Sequence, residues 1–133
     1  MKIALGILVF LFSWEFFWWV LGVKPILPWQ LKAALKKRPE DLTLIDVRTP
    51  IEYAFFHIDG AQNRAELLLQ PELFEEKDKK KPLVVICMTG HRSPLAGYRL
   101  KGRGYRAVYT LTFGMLGWLL SGGMITRKKI EHI

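Results

Sequence analysis

The feature that most constrains the fold is Leu83-Val84-Val85-Ile86, four consecutive aliphatic residues leading straight into Cys87-Met88-Thr89-Gly90-His91-Arg92-Ser93. An unbroken apolar run of this length reads as a strand buried on both faces, as in a parallel sheet covered by helices. Gly90 marks a turn, and Pro94 with the spaced pair Ala96 and Leu100 predicts a helix over 93–102, packed on one side. A thiol therefore stands at the carboxyl end of a strand and the amino end of a helix, beside an arginine that cannot lose its charge. Helix-terminal amides and a fixed cation both favour thiolate over thiol. Cysteines without a chemical role are usually small buried hydrophobes. An apolar site does not want His91 and Arg92 as neighbours, so Cys87 is read as reactive.

The rest of the chain alternates in the same way. Trp29 to Arg38 predicts a short helix with Leu31, Ala34 and Leu35 inward, ended by Pro39. Leu42–Val47 predicts a strand, Pro50–Phe56 a helical turn opened by proline, and Ala61–Asn63 a short strand. Small helices over 66–70 and 72–76 precede the strand at 83–86. Ala107–Thr110 predicts a last strand and Gly114–Leu120 a last helix. Strands alternating with helices imply an α/β fold: a parallel sheet flanked by helices on both faces.

Ile3 to Val23 is almost unbroken apolar sequence. About 20 such residues cross a bilayer as a helix. Trp18, Trp19 and Trp29 suit the lipid–water interface near its far end. Glu15 is the awkward residue, because a carboxylate inside a membrane is costly. A cleaved secretory signal is the rival reading, but the run is long and no small-x-small pattern precedes Lys24. Leu111–Ile125 is no second span, being 15 residues interrupted by Gly114, Gly117, Gly122 and Gly123. The expected organisation is one transmembrane helix over 1–24, a globular domain over 25–126 and a basic tail over 127–133. Lys24-Pro25-Ile26-Leu27-Pro28 is read as a stiff junction between the first two.

Net charge is +8, and it is clustered. Lys24, Lys32, Lys36, Lys37 and Arg38 follow the apolar segment with no carboxylate among them, whereas Lys2 stands alone before it. Their position predicts contact with anionic lipid, and the positive-inside rule places the domain in the cytoplasm. A cleaved or inverted segment would put it in the periplasm or outside the cell. The basic run Arg92 to Arg106 would concentrate small anions around the thiol, and no nucleic-acid motif accompanies the charge, so nucleic acid is not an expected partner. One cysteine excludes an intrachain disulfide, and His57, His91 and His132 lack ligand spacing. No metal and no cofactor are expected.

Two stretches together resemble the rhodanese family: Leu44-Ile45-Asp46-Val47-Arg48-Thr49-Pro50-Ile51-Glu52-Tyr53 continuing to His57-Ile58-Asp59-Gly60-Ala61, and Val84-Val85-Ile86-Cys87 through Arg92-Ser93. Ala96, Leu100, Gly104 and Tyr105 keep the family's helix spacing, and Gly114 and Trp118 fit its last helix. Phe56 and Asp59 depart from the glycine and proline usual there. The resemblance implies a rhodanese-like α/β fold and a sulfurtransferase that moves sulfane sulfur from an anionic donor such as thiosulfate to a thiol or cyanide, through a persulfide on Cys87. Amides of Met88, Thr89, Gly90, His91, Arg92 and Ser93 would curl around the charged sulfur. Asp46, Arg48, Glu52 and His57 are implied to be framework, with Arg48 paired to Glu52.

Two other functions compete. A membrane-tethered rhodanese-like scaffold would need no cysteine. A Cys-dependent phosphatase or arsenate reductase would have five residues between Cys and Arg, whereas Met88 to His91 are four.

Overall fold

A computed structural model describes residues 1–127 of the chain, so most of the expected basic tail, 128–133, lies outside the described residues. Helix α1 (Lys2–Val20) leads into strand β1 (Lys24–Ile26), followed by α2 (Pro28–Lys37), β2 (Thr43–Asp46), α3 (Pro50–Phe55) and β3 (Gln62–Asn63). The second half holds β4 (Leu83–Ile86), α4 (Ser93–Gly102), β5 (Val108–Leu111) and α5 (Gly114–Leu120). The small helices expected over 66–70 and 72–76 are single 3-10 turns, Ala65–Leu68 and Pro71–Leu73.

The strands form one parallel sheet in the order β1-β5-β4-β2-β3. Lys24–Pro28 is therefore not a free junction: Lys24, Pro25 and Ile26 pair with Tyr109, Thr110 and Leu111 as an edge strand. Pro25 is tolerated there because an edge strand has one side without a ladder to supply.

Alternation along β4 divides the core in two. Leu83, Val85 and Cys87 point to the side packed by Ala96 and Leu100 of α4, with Leu67, Phe74 and Tyr105. Val84 and Ile86 point to the side packed by Leu31 of α2 and by Met115 and Trp118 of α5. Every residue of β4 is buried, which is why its sequence carries no polar alternation. Cys87 continues the two-residue period one step past the strand.

β2 and β4 are neighbours, yet the chain leaves them in opposite directions, β2 toward edge strand β3 and β4 toward β5. Ligand crevices in open α/β sheets form beyond the carboxyl ends of strands at such a reversal. Here those ends carry Asp46-Val47-Arg48 and the Cys87 loop, laced by the Val47 amide donating to the Ile86 carbonyl at 2.9 Å.

Helix α1 is long and apolar enough to cross a membrane by length and composition, and none of its residues is fully buried. It stops at Leu21, and Gly22 at φ +93° turns the chain into β1. Only Leu21, Gly22 and Val23 separate helix from sheet, so α1 lies against the domain rather than hanging from a linker.

Candidate functional site

Cys87 leaves β4 and Ser93 begins α4, so the intervening residues wrap the amino terminus of a ten-residue helix. The Gly90 amide donates to Cys87 Sγ at 2.9 Å. That approach needs Gly90 at φ +87°, where a Cβ would also meet the Phe113 nitrogen at 3.1 Å. Among the described residues the amides of Thr89, His91 and Arg92 have no protein partner. They remain available to an anion at the helix terminus. The Ser93 hydroxyl is buried and likewise unpartnered. Thr89 Oγ1 and His91 Nδ1 are 2.9 Å apart on the exposed rim.

Among the described residues the Gly90 amide is the hydrogen-bond donor to Cys87 Sγ itself, which leaves the other loop amides unspent. Cys87 itself has 0% exposed surface, so the thiol is not open to solvent at rest.

The framework residues pair differently from the expectation. Arg48 does not meet Glu52. Its Nε and Nη2 grip the two Asp46 carboxylate oxygens at 2.9 and 2.8 Å, and Nη2 also donates to the Phe56 carbonyl at 2.6 Å. Both side chains are fully buried. Arg48 precedes α3, so it turns inward across the end of β2 instead of lying along the helix beside a residue four positions on. Asn63 on β3 ties the same corner by donating to the carbonyls of Asp46 and Arg48 at 3.3 and 2.9 Å.

Glu52 instead holds Arg92 of the reactive loop, with Nη2 to Oε2 at 3.1 Å and Nη1 to Oε1 at 3.3 Å. The carboxylate is fixed by a reciprocal cap at the start of α3. It accepts from the Thr49 amide and hydroxyl, and the Thr49 hydroxyl accepts from the Glu52 amide. The spacing Thr49-x-x-Glu52 was the sequence signal for that placement. Burial pushes the Glu52 carboxyl up, but the bonds from Arg92 and Thr49 and the Arg92 charge together bring it below its ordinary value. The Glu52 bond pushes the Arg92 guanidinium up against its partial burial, and electrostatic attraction to Glu52, Cys87 and Asp46 adds to the rise.

His57 lies apart from the thiol's hydrogen bonds. Its ring stacks on Tyr53 at 3.7 Å with an 8° tilt, and Nδ1 is 2.7 Å from the Tyr53 carbonyl. Its backbone exchanges hydrogen bonds with Thr126.

Phe113 and Gly114 belong to the site but were not among the expected residues. They sit at φ +60° and +55°, a turn that places the start of α5 on the loop. There the amides of Met115 and Leu116 donate to the carbonyls of Cys87 and Met88 at 2.9 and 3.0 Å. No pattern in the sequence announces a left-handed phenylalanine. Among the described residues no group of three or more His, Cys, Asp or Glu side chains could hold a metal ion.

Residues 28–121 match the family described as Rhodanese-like domain. The chain is 36% identical over 90 residues to thiosulfate sulfurtransferase GlpE of Coxiella burnetii, covering 68% of this chain and 78% of that protein. A rhodanese-related protein of Thermoplasma volcanium superposes with a TM-score of 0.62 at 28% identity, over 77% of this chain and 96% of that one. A Rhodopseudomonas palustris protein described as a possible tyrosine phosphatase superposes with a TM-score of 0.64 at 26% identity, over 79% and 86% of the two chains. With the family match spanning β2 to β5, the reactive loop and α5, this chain belongs to the rhodanese-like domain family.

Proposed function

We propose that the protein is a rhodanese-type sulfurtransferase that carries sulfur as a persulfide on Cys87. The observation that supports this most is the Gly90 amide on Cys87 Sγ at the start of α4, with Arg92 pinned beside it by Glu52. In the first half-reaction the Cys87 thiolate attacks the outer sulfur of thiosulfate. A Cys87–sulfur bond forms, the donor's sulfur–sulfur bond breaks, and its electron pair departs with sulfite. In the second, an acceptor thiolate or cyanide takes the outer sulfur, and the electron pair of the persulfide bond returns to Cys87. Negative charge rests on the terminal sulfur between the halves. The Gly90 amide, the unspent loop amides and Arg92 are placed to stabilise it. The relatives named thiosulfate sulfurtransferase favour the same donor.

The test is mass spectrometry of the full chain after incubation with thiosulfate. A gain of one sulfur on Cys87, absent in Cys87→Ser, is the expected result. No adduct with thiosulfate or with persulfide donors means a scaffold. The phosphatase reading, favoured by one structural relative, meets a loop with only four residues between Cys87 and Arg92. Hydrolysis of p-nitrophenyl phosphate without thiosulfate turnover would reverse the choice.

The proposal includes a membrane anchor made by α1, with the domain on the cytoplasmic side. Its support is the apolar helix followed by Lys24, Lys32, Lys36, Lys37 and Arg38. Because Cys87 is buried, sidedness is better read from maleimide labelling of Glu40→Cys in vesicles of known orientation.

A further inference from the structure

The apolar helix forms part of the entrance to the reactive loop. Leu11, Trp14, Glu15 and Trp18 recur at helical spacing as its half-buried face. The Trp14 ring lies 5.6 Å from the His91 imidazole, and the Trp18 ring 6.2 Å from Tyr98 of α4. Glu15 follows Trp14 on that half-buried face, next to the residue that meets His91. The carboxylate that made no sense in a lipid-facing segment thus sits at the rim of the site.

Beside this seam is an open cleft of about 520 Å³ between α1 and Phe113, lined by Leu8, Val9, Leu11, Phe12, Ser13 and Glu15. That volume falls in the range of small-molecule sites, roughly 300–1,000 Å³. The cleft borders the reactive loop through Phe113, which lines it and whose backbone nitrogen would stand 3.1 Å from a Cβ on Gly90. Its walls are apolar except for Ser13 and Glu15, which lie toward the His91 end of the helix. Seven residues from Trp14 to Leu21 span about 10 Å along the axis. A headgroup layer is roughly 5–8 Å deep per leaflet. An anchored α1 that keeps this seam holds His91 near headgroup depth, with Leu8 to Phe12 reaching into hydrocarbon.

We infer that the cleft binds the alkyl chain of a membrane-partitioned acceptor whose uncharged thiol head reaches the loop. The inference rests on the sulfurtransferase and anchor readings above. The apolar walls suit a chain entering from the bilayer, and the Trp14–His91 contact sets the reactive loop beside that path. The acceptor thiol loses its proton to solvent at the open end of the cleft. Its thiolate bonds to the outer sulfur of the Cys87 persulfide, and the electron pair of the broken Cys87–sulfur bond returns to Cys87. The acceptor leaves as an alkyl persulfide, with the thiolate restored on Cys87.

The experiment uses the full chain in detergent micelles, thiosulfate as donor, and ethanethiol and decanethiol as acceptors, each rate normalised to cyanide turnover of the same preparation. Micelle partitioning is common to all variants, so the decanethiol-to-ethanethiol ratio is compared between wild type, Phe12→Ala and Ser13→Trp. The first removes a wall and the second fills the cleft. The expected result is at least a fivefold fall in that ratio in both variants. An unchanged ratio alongside normal cyanide turnover overturns the inference and leaves the sulfurtransferase reading standing. No cyanide turnover and no persulfide in the wild type overturns both.

Discussion

Arg92 of the reactive loop is held by Glu52 of α3, forty residues earlier, through two contacts of 3.1 and 3.3 Å from separate guanidinium nitrogens to separate carboxylate oxygens. The pair joins the two segments that carry the family's resemblance, one at the end of β2 and one at the end of β4. Glu52 is itself immobilised by Thr49, so the guanidinium inherits a fixed position without being buried. A partly exposed ion pair contributes only about 0–1 kcal/mol to stability. Its value lies in where it puts the charge.

Arg92→Ala should therefore fold but lose about 100-fold in kcat/KM for thiosulfate, the scale seen when one oxyanion donor is removed. Glu52→Gln should leave the charge and lose its placement, for a fall of roughly tenfold. Steady-state sulfite release checks both. A fully active Arg92→Ala protein would refute the role.

The same pair predicts a pH window. The Glu52 carboxyl lies below its ordinary value in the folded protein. A depressed carboxylate adds stability above its unfolded pKa, about 4.3, and the contribution is lost as pH falls through the lower folded value. The stability gap between wild type and Glu52→Gln should be flat from about pH 8 to 5 and close below about pH 4. Denaturant titration at each pH measures it. A gap that persists into strong acid counts against the ion pair.

Four consecutive aliphatics made β4 legible because a strand buried on both faces has no polar alternation to obscure it. Cys87 through Ser93 was legible for a related reason: turn glycine, thiol, cation and helix start fall in one short segment. β1 was not legible, since Lys24-Pro25-Ile26 has poor strand propensity and becomes a strand only by pairing with β5. The partner of Arg48 was misjudged because the resemblance alone supplied Glu52, whereas Arg48 lies before the helix and turns to Asp46. The docking of α1 on His91 depends on Gly22 folding the helix back, a tertiary outcome that composition does not encode.

The Asp46–Arg48 pair should behave in the opposite manner to the Arg92 pair. Both side chains are fully buried, so Asp46→Asn leaves a guanidinium without its counter-ion in the core. Removing one partner of a buried pair costs about 3–5 kcal/mol. Chemical denaturation should show that loss, while the folded fraction retains persulfide formation on Cys87. A loss below about 1 kcal/mol would mean the pair is not sealed from water.

His57→Gln should leave catalysis nearly intact. The imidazole is stacked on Tyr53 and satisfied by a backbone carbonyl, away from the Cys87 sulfur. The expected outcome is lower thermal stability with an unaltered pH–rate profile for sulfur transfer. Loss of one limb of that profile would show His57 acting as an acid or base.

Gly114 carries the sharpest structural requirement in the site. At φ +55° it lets α5 begin directly on the loop, and a Cβ there would collide with the Cys87 carbonyl and stand 2.7 Å from the carbonyl carbon of Met88. Gly114→Ala therefore meets two penalties at once. The left-handed backbone costs an L-residue about 1–2 kcal/mol, and the clash is with main chain, which cannot swing aside as a side chain can. Relief requires α5 to retreat, breaking the bonds from Met115 and Leu116 to the Cys87 and Met88 carbonyls. The loop then loses its backing, and a displacement near 1 Å at a reacting group can cost about 100-fold in rate. Gly114→Ala should lose stability and sulfur transfer together, whereas Gly102→Ala, which meets nothing within 4 Å, should lose neither. If Gly114→Ala keeps wild-type sulfite release, the clasp of α5 on the loop does not position Cys87.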